Sequence, residues 1–321
     1  MAFGITICSQ ASGQSSQPTV LLIDVENHVE YQDDIADVTK FATIPSLTPA
    51  VNFRDFSVAT VLADIVAING QPAKGLYAAR ARSIITSPTP TAGNGAIADV
   101  ARAAIREEIF EILNPDGSPV GTIVSLGLSG GAPPPGAPGT QGAADFAITG
   151  GTAAFVGMRG VSGSGPSPQT VAARAASMSE DPGSRRILGG GKTRRVLTLY
   201  PMFAPQILAV THSSDFTAIS AVKPASSGEI LSVFASGLGP TKPGVDPGQP
   251  FPAASVSTVT SPVRVTVNGQ AAEVTGAVGL AGTVGGYQVN FRLPDGTGSG
   301  TATIQLSAAW IAGASVPIAV Q

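Results

Sequence analysis

Residues Asp145 to Gly160 read Asp-Phe-Ala-Ile-Thr-Gly-Gly-Thr-Ala-Ala-Phe-Val-Gly-Met-Arg-Gly. An apolar run meets a Gly-Gly break, and a second run ends in Arg-Gly. Glycine permits backbone angles and close approaches that a Cβ forbids. Gly150 and Gly151 therefore predict a sharp turn between extended segments, and Gly157 and Gly160 predict bends or tight packing in the second segment.

The wider composition agrees with a strand-rich reading. The chain has 321 residues, with 39 glycines, 26 prolines and only 12% charged residues. Val, Ile, Thr, Ser and Ala fill the stretches between breaks, the profile of an all-β protein with many turns. The length favours two domains. Apolar residues make up 43% and aromatics 5%, so the cores are built from aliphatic and small side chains. A net charge of −3 gives no electrostatic footing for nucleic acid. Two histidines, His28 and His212, and a single cysteine, Cys8, cannot build a zinc, iron–sulfur or disulfide framework. Carboxylate-only calcium binding stays open in principle, but no EF-hand-like Asp-x-Asp-x-Asp-Gly run occurs, so no metal or cofactor is expected.

Residues 2–8 form a short apolar run, and Ala11 and Gly13 are placed for cleavage before Gln14. Residues 1–13 thus predict a signal-peptide remnant and a secreted, extracellular or cell-surface protein. Cys8 sits within that remnant; Ile7 is too large for a good lipidation motif. No stretch is long and apolar enough to predict a transmembrane helix.

As a pattern, Asp145–Gly160 resembles the Gly-Gly-Thr-Gly-x-Phe-x-x-Ala-Arg-Gly signature of dirigent proteins and the related allene oxide cyclase-like barrels. Gly150, Gly151, Thr152, Phe155, Arg159 and Gly160 match; Ala153 stands for a usual glycine and Met158 for a usual alanine. The resemblance implies an antiparallel β-barrel over 18–202. Thr19 to Val29 reads as its first strand, with Asp24, Glu26 and His28 on one side and Ile23, Val25, Asn27 and Val29 on the other. Facing the lumen, the polar side is a candidate site; facing water, it is the wet face of an antiparallel sheet. Asn69-Gly70 predicts a tight turn between strands over 53–69 and 75–86. Residues 98–113 carry helical spacing in Val100, Ala104, Ile105, Ile109 and Ile112, yet the resemblance calls for a strand, placed at 105–113. Segments 171–179 and 194–200 are expected to close the barrel.

From Gln206 a second resemblance appears. Ser236-Gly-Leu-Gly-Pro240, Val265-Thr-Val-Asn-Gly-Gln-Ala271 and Tyr287-Gln-Val-Asn290 occur in order, as in an immunoglobulin-like C-terminal domain of secreted bacterial proteins. Short alternating runs between Asn268-Gly269 and Asp295-Gly296 turns predict a β-sandwich over 206–321 by themselves. Trp310 is expected as a partly buried packing residue.

No Gly-x-Ser-x-Gly elbow and no phosphate-loop spacing occurs, so a serine hydrolase or nucleotide enzyme is not indicated. The basic cluster Arg185, Arg186, Lys192, Arg194 and Arg195 reads as a solvated loop or an anion site. In dirigent-like barrels, cavity carboxylates, arginine and tyrosine steer a reactive intermediate. That resemblance transfers Arg159 through its matched motif; Asp24, Glu26 and Tyr77 join it as candidates by strand parity. Arg159 is expected either at the cavity, pairing with Asp24 or Glu26, or as a rim ion pair. The functional expectation is a barrel that binds a small apolar or phenolic ligand and steers a non-redox cyclisation or coupling. The alternative is a structural or adhesive protein that self-associates through strand edges, without catalysis.

Overall fold

The computed structural model describes residues 18–32, 58–85, 102–129, 146–201, 204–246 and 248–321. The signal-peptide remnant and the Cys8 reading lie outside these residues. Among the described residues nine strands precede residue 201: β1 (Thr19–Gln32), β2 (Val58–Ile68), β3 (Gln71–Ile85), β4 (Arg102–Leu113), β5 (Pro119–Ser129), β6 (Phe146–Gly151), β7 (Arg159–Gly165), β8 (Arg174–Ser177) and β9 (Gly191–Tyr200). Eight of them pair in the order β2-β3-β4-β5-β6-β7-β9-β1, and β1 pairs back onto β2. All these pairings are antiparallel, so the ring is a closed antiparallel barrel. The expected closing strands separate: β9 completes the ring, whereas β8 lies outside it and runs parallel to the end of β1.

Residues 98–113 settle as strand wherever the structure describes them. The helical spacing gives way to an alternation. Phe110 and Ile112 are fully buried, while Ile105 and Ile109 face outward. Period-2 patterning decides here because the segment has a partner on each side.

The quoted stretch forms β6, a 3-10 turn at Ala153–Phe155, and β7. Its glycines serve strand contact. A Cβ on Gly160 would stand 1.9 Å from the Thr198 carbonyl oxygen, and one on Gly151 would stand 2.6 Å from those of Phe155 and Thr122. The turn drops Phe155 and Met158 into the barrel core.

The second sheet comprises β10 (Gln206–His212), β11 (Ile230–Ser236), β12 (Thr241–Lys242), β13 (Thr258–Val259), β14 (Val263–Val267), β15 (Gln270–Gly279), β16 (Gly286–Arg292), β17 (Gly300–Ala308) and β18 (Ile311–Val320). Its order is β10-β11-β16-β15-β14-β17-β18, with β12 and β13 beside β15. The first part of β15 pairs with β14 and the rest with β16 across a bulge, so one strand bridges two halves of a nearly closed sheet.

Three hairpins turn on two residues with positive φ, the geometry of a type I′ turn. Two are the expected Asn69-Gly70 (φ 50° and 74°) and Asn268-Gly269 (φ 50° and 80°). The third is Ala309-Trp310 (φ 48° and 65°), where each residue costs about 1 kcal/mol in this conformation. Packing offsets that cost. Ala309 and Ile311 belong to the barrel's own core cluster, and Trp310 packs against it. The β17–β18 hairpin therefore seals one end of the barrel. Asn114 Nδ2 adds a 2.6 Å hydrogen bond to the Thr260 carbonyl oxygen across the same junction. Among the described residues no helix is long and apolar enough to cross a membrane.

Candidate functional site

Alternation aims every second residue of each barrel strand inward. Toward the sealed end these residues are apolar: Ile65, Tyr77, Phe110, Ile123 and Leu199 are all buried. One rung toward the other end the lining changes. Glu108 on β4 follows Phe110, Ser125 on β5 follows Ile123, Ser162 and Ser164 line β7, and Arg195 on β9 follows Leu197.

Glu108 is 0% exposed and stands at the centre. Its Oε1 accepts from Tyr77 Oη at 2.6 Å and from the Arg195 guanidinium at 2.7 Å. Its Oε2 accepts from Ser125 Oγ and Ser162 Oγ, both at 2.9 Å. Those four donors occupy the roughly four lone-pair sites of a carboxylate. Arg106 Nε lies 3.4 Å from the same Oε1 without a hydrogen bond, while another Arg106 nitrogen donates to Tyr77 Oη at 2.8 Å. Arg195 also donates to Ser164 Oγ at 2.6 Å. Its guanidinium carbon sits 5.6 Å from the Tyr77 ring centre and 5.8 Å from that of Phe146, within cation–π range. Burial pushes the Tyr77 phenol above its usual value, so it stays a neutral donor.

His28 joins the cluster because β1 bulges. Glu26 faces Asp64 and Val29 faces Leu62, leaving Asn27 and His28 opposite Ala63 alone. Asn27 takes φ 53° to make this bulge. Parity therefore switches: Asp24 and Glu26 stay outside, and His28 turns in. Its ring stands edge-on to Tyr77 at 5.9 Å, and Nδ1 lies 3.0 Å from Thr193 Oγ1. Burial, then the positive charges of Arg106 and Arg195, lower its pKa to about 4. The imidazole is thus uncharged near neutral pH, with Nε2 unengaged by any described residue.

Of the four residues singled out in the sequence, Tyr77 lies in this cluster. Asp24 pairs on the outer wall with Arg194 at 2.6 Å, and Glu26 with Lys192 at 2.7 Å. Arg159 lies opposite Tyr200 on the outward side of β7 and donates to the carbonyl oxygens of Thr149 and Met158, so it meets neither acidic residue. Glu108 and Arg106 escaped sequence reasoning as site residues, and Arg195 was singled out only within the basic run. One signal was available: each is a charged residue on an apolar parity, Arg106 and Glu108 with Phe110 and Ile112, and Arg195 with Leu197 and Leu199. The basic run itself splits. Arg185 and Arg186 bind Asp64, Lys192 and Arg194 bind outer carboxylates, and Arg195 alone enters the lumen.

A cavity of about 210 Å³ lies at the sealed end, between the two sheets, lined by Pro72, Leu113, Pro115, Arg264 and Trp310. It is remote from the buried carboxylate and carries one charged side chain. Comparison with protein-family models, curated proteins and solved structures finds no match for this chain.

Proposed function

We propose that the barrel lumen binds a small, largely apolar or phenolic molecule against the Glu108 cluster and steers a non-redox cyclisation or coupling. The observation that carries this reading is the fully buried carboxylate held by two arginines, a tyrosine and two serines. A stable barrel does not require it. Well-packed hydrophobic residues in place of such an ion cluster are commonly as stable or more so. Held in one pose, a ligand meets the neutral Tyr77 ring as an aromatic wall and His28 Nε2 as a proton acceptor. The likeness to dirigent and allene oxide cyclase-like barrels supports the same class of reaction, and the apolar run at 2–8 supports export before action. The second sheet, which resembles an immunoglobulin-like domain, serves as the plug of the barrel.

The test is a thermal-shift screen of phenolics, fatty-acid derivatives and oligosaccharides on the full chain, on Glu108→Gln and on Arg159→Ala. Compounds that stabilise the parent and Arg159→Ala but not Glu108→Gln are expected. Absence of any such compound overturns the reading.

One observation favours a second reading, self-association. Ile105 opposes Leu128 on the outer wall, and Leu126, Ala147 and Val161 form a cross-strand row beside them. All five are exposed, Leu128 by 63%. Among the described residues of the first half, the closed ring leaves β8 alone with a free edge, so contact through this face is the form supported there. Sedimentation equilibrium of the parent and Leu128→Glu decides it: a monomeric parent removes this reading.

A further inference from the structure

The lumen cluster holds more positive than negative charge. Arg106 and Arg195 face one carboxylate, Glu108. Tyr77 and His28 are neutral near pH 7. Glu30 faces inward one rung nearer the rim, opposite Val61, and makes no ion pair with either arginine.

The excess has a location. Arg106 Nε and Arg195 Nε are buried N–H donors without a hydrogen-bond partner, and Arg195 as a whole is only 6% exposed. Leaving a charged buried donor unpaired costs more than leaving a neutral one so. No acceptor in the cluster meets either of them. Glu108 is filled by its four donors, and the Tyr77 hydroxyl already donates to Glu108 and accepts from Arg106.

We infer that the lumen ligand is a small organic acid, bound as its carboxylate by the two free Nε–H groups of Arg106 and Arg195. This deepens the lumen reading and rests on it. A carboxylate supplies two oxygens for two N–H donors and brings the cluster to two positive and two negative charges. Beside Val61 and Glu30, the inward positions around the cluster and toward the rim include Ala59, Ala79, Ala81 and Gly127, whose small or absent side chains leave the apolar body of a ligand the least to displace. The field at His28 agrees: burial is the main reason the ring stays uncharged, and after it each arginine outweighs Glu108.

His28, one of two histidines in the chain, reports occupancy. The experiment titrates the full chain with trans-cinnamate and with octanoate, each against its methyl ester, following affinity by calorimetry and the His28 ring by NMR. The acid is expected to bind at least about tenfold more tightly than its ester, the worth of one charge-assisted hydrogen bond. It should also raise the His28 pKa, since a negative charge now lies beside the ring. Arg195→Lys keeps the charge but removes Nε, and should erase most of the acid's advantage over its ester.

Equal binding of acid and ester overturns the carboxylate assignment and leaves the lumen reading standing. So does acid binding that leaves His28 unmoved, because the acid then sits elsewhere. Failure of all four compounds to bind at millimolar concentration overturns the assignment; the broader thermal-shift screen then decides the lumen reading separately.

Discussion

Arg194 and Arg195 are neighbours in sequence and lie on opposite sides of one strand. Arg194 faces out and grips Asp24 through two hydrogen bonds of 2.6 and 2.8 Å. Arg195 faces in and shares Glu108 with a second arginine, a phenol and two serines. Both are ion pairs of near-ideal geometry, yet the wall between them separates two electrostatic regimes. Outside, water screens the pair and hydrates whatever mutation exposes. Inside, every donor was stripped of water to be placed there, so removing one partner strands the others. The same chemistry supports a scaffold on one side of the wall and a site on the other.

The largest break in this comparison comes from Glu108→Leu. It leaves Arg106 and Arg195 as uncompensated buried cations and strips two serines and a tyrosine of their acceptor. A loss of about 3–5 kcal/mol is expected in urea unfolding, read as a lower midpoint with little change in slope. The triple variant Arg106→Met, Glu108→Leu, Arg195→Met should recover most of that loss, because no charge is then stranded. A triple variant no more stable than Glu108→Leu would show that the cluster itself holds the barrel shut.

The next break is pH. Unfolded His28 takes up its proton near pH 6.5, whereas in the barrel it does so only near pH 4. Between those values the unfolded chain binds more protons, so acid favours unfolding there. The stabilisation is complete above pH 6.5 and is lost as pH falls toward 4, amounting to about 3 kcal/mol at most. Subtracting the urea stabilities of His28→Gln from those of the parent at pH 7, 5.5 and 4 isolates this residue from the carboxylates that titrate nearby. A difference that stays flat across the range would place His28 in water.

Much of the barrel is legible in the sequence because alternation and turn chemistry are local. Asn69-Gly70 and Asn268-Gly269 turn as their φ preferences require, and Phe110 and Ile112 mark the inner face of β4 despite a competing helical spacing. What escapes reading is set by partners. The bulge at Asn27 depends on a one-residue mismatch with β2, and it moves His28 away from Asp24 and Glu26. Ala309-Trp310 has no turn signature, because burial against the barrel base, not backbone preference, holds it. Arg159 follows a matched motif, but the pairing of β7 with β9 turns it outward. The site centre was hidden for a different reason. A charge on an apolar parity looks like a mistake in the pattern until two strands bring several such charges together.

The smallest effect expected lies on the outer wall and sharpens the comparison most directly. Asp24→Asn removes the carboxylate charge opposite Arg194 while retaining one oxygen acceptor. Both partners keep part of their surface in water, with side chains 18% and 24% exposed, so the freed guanidinium is rehydrated and not stranded. Urea unfolding should shift by less than about 1 kcal/mol, and the shift should shrink in high salt. The lumen should not notice: acid binding and the His28 titration are expected to match the parent. A loss of several kcal/mol, or a moved His28 pKa, would mean that the two faces of β9 are electrostatically coupled through the wall and that charge parity alone does not divide site from scaffold.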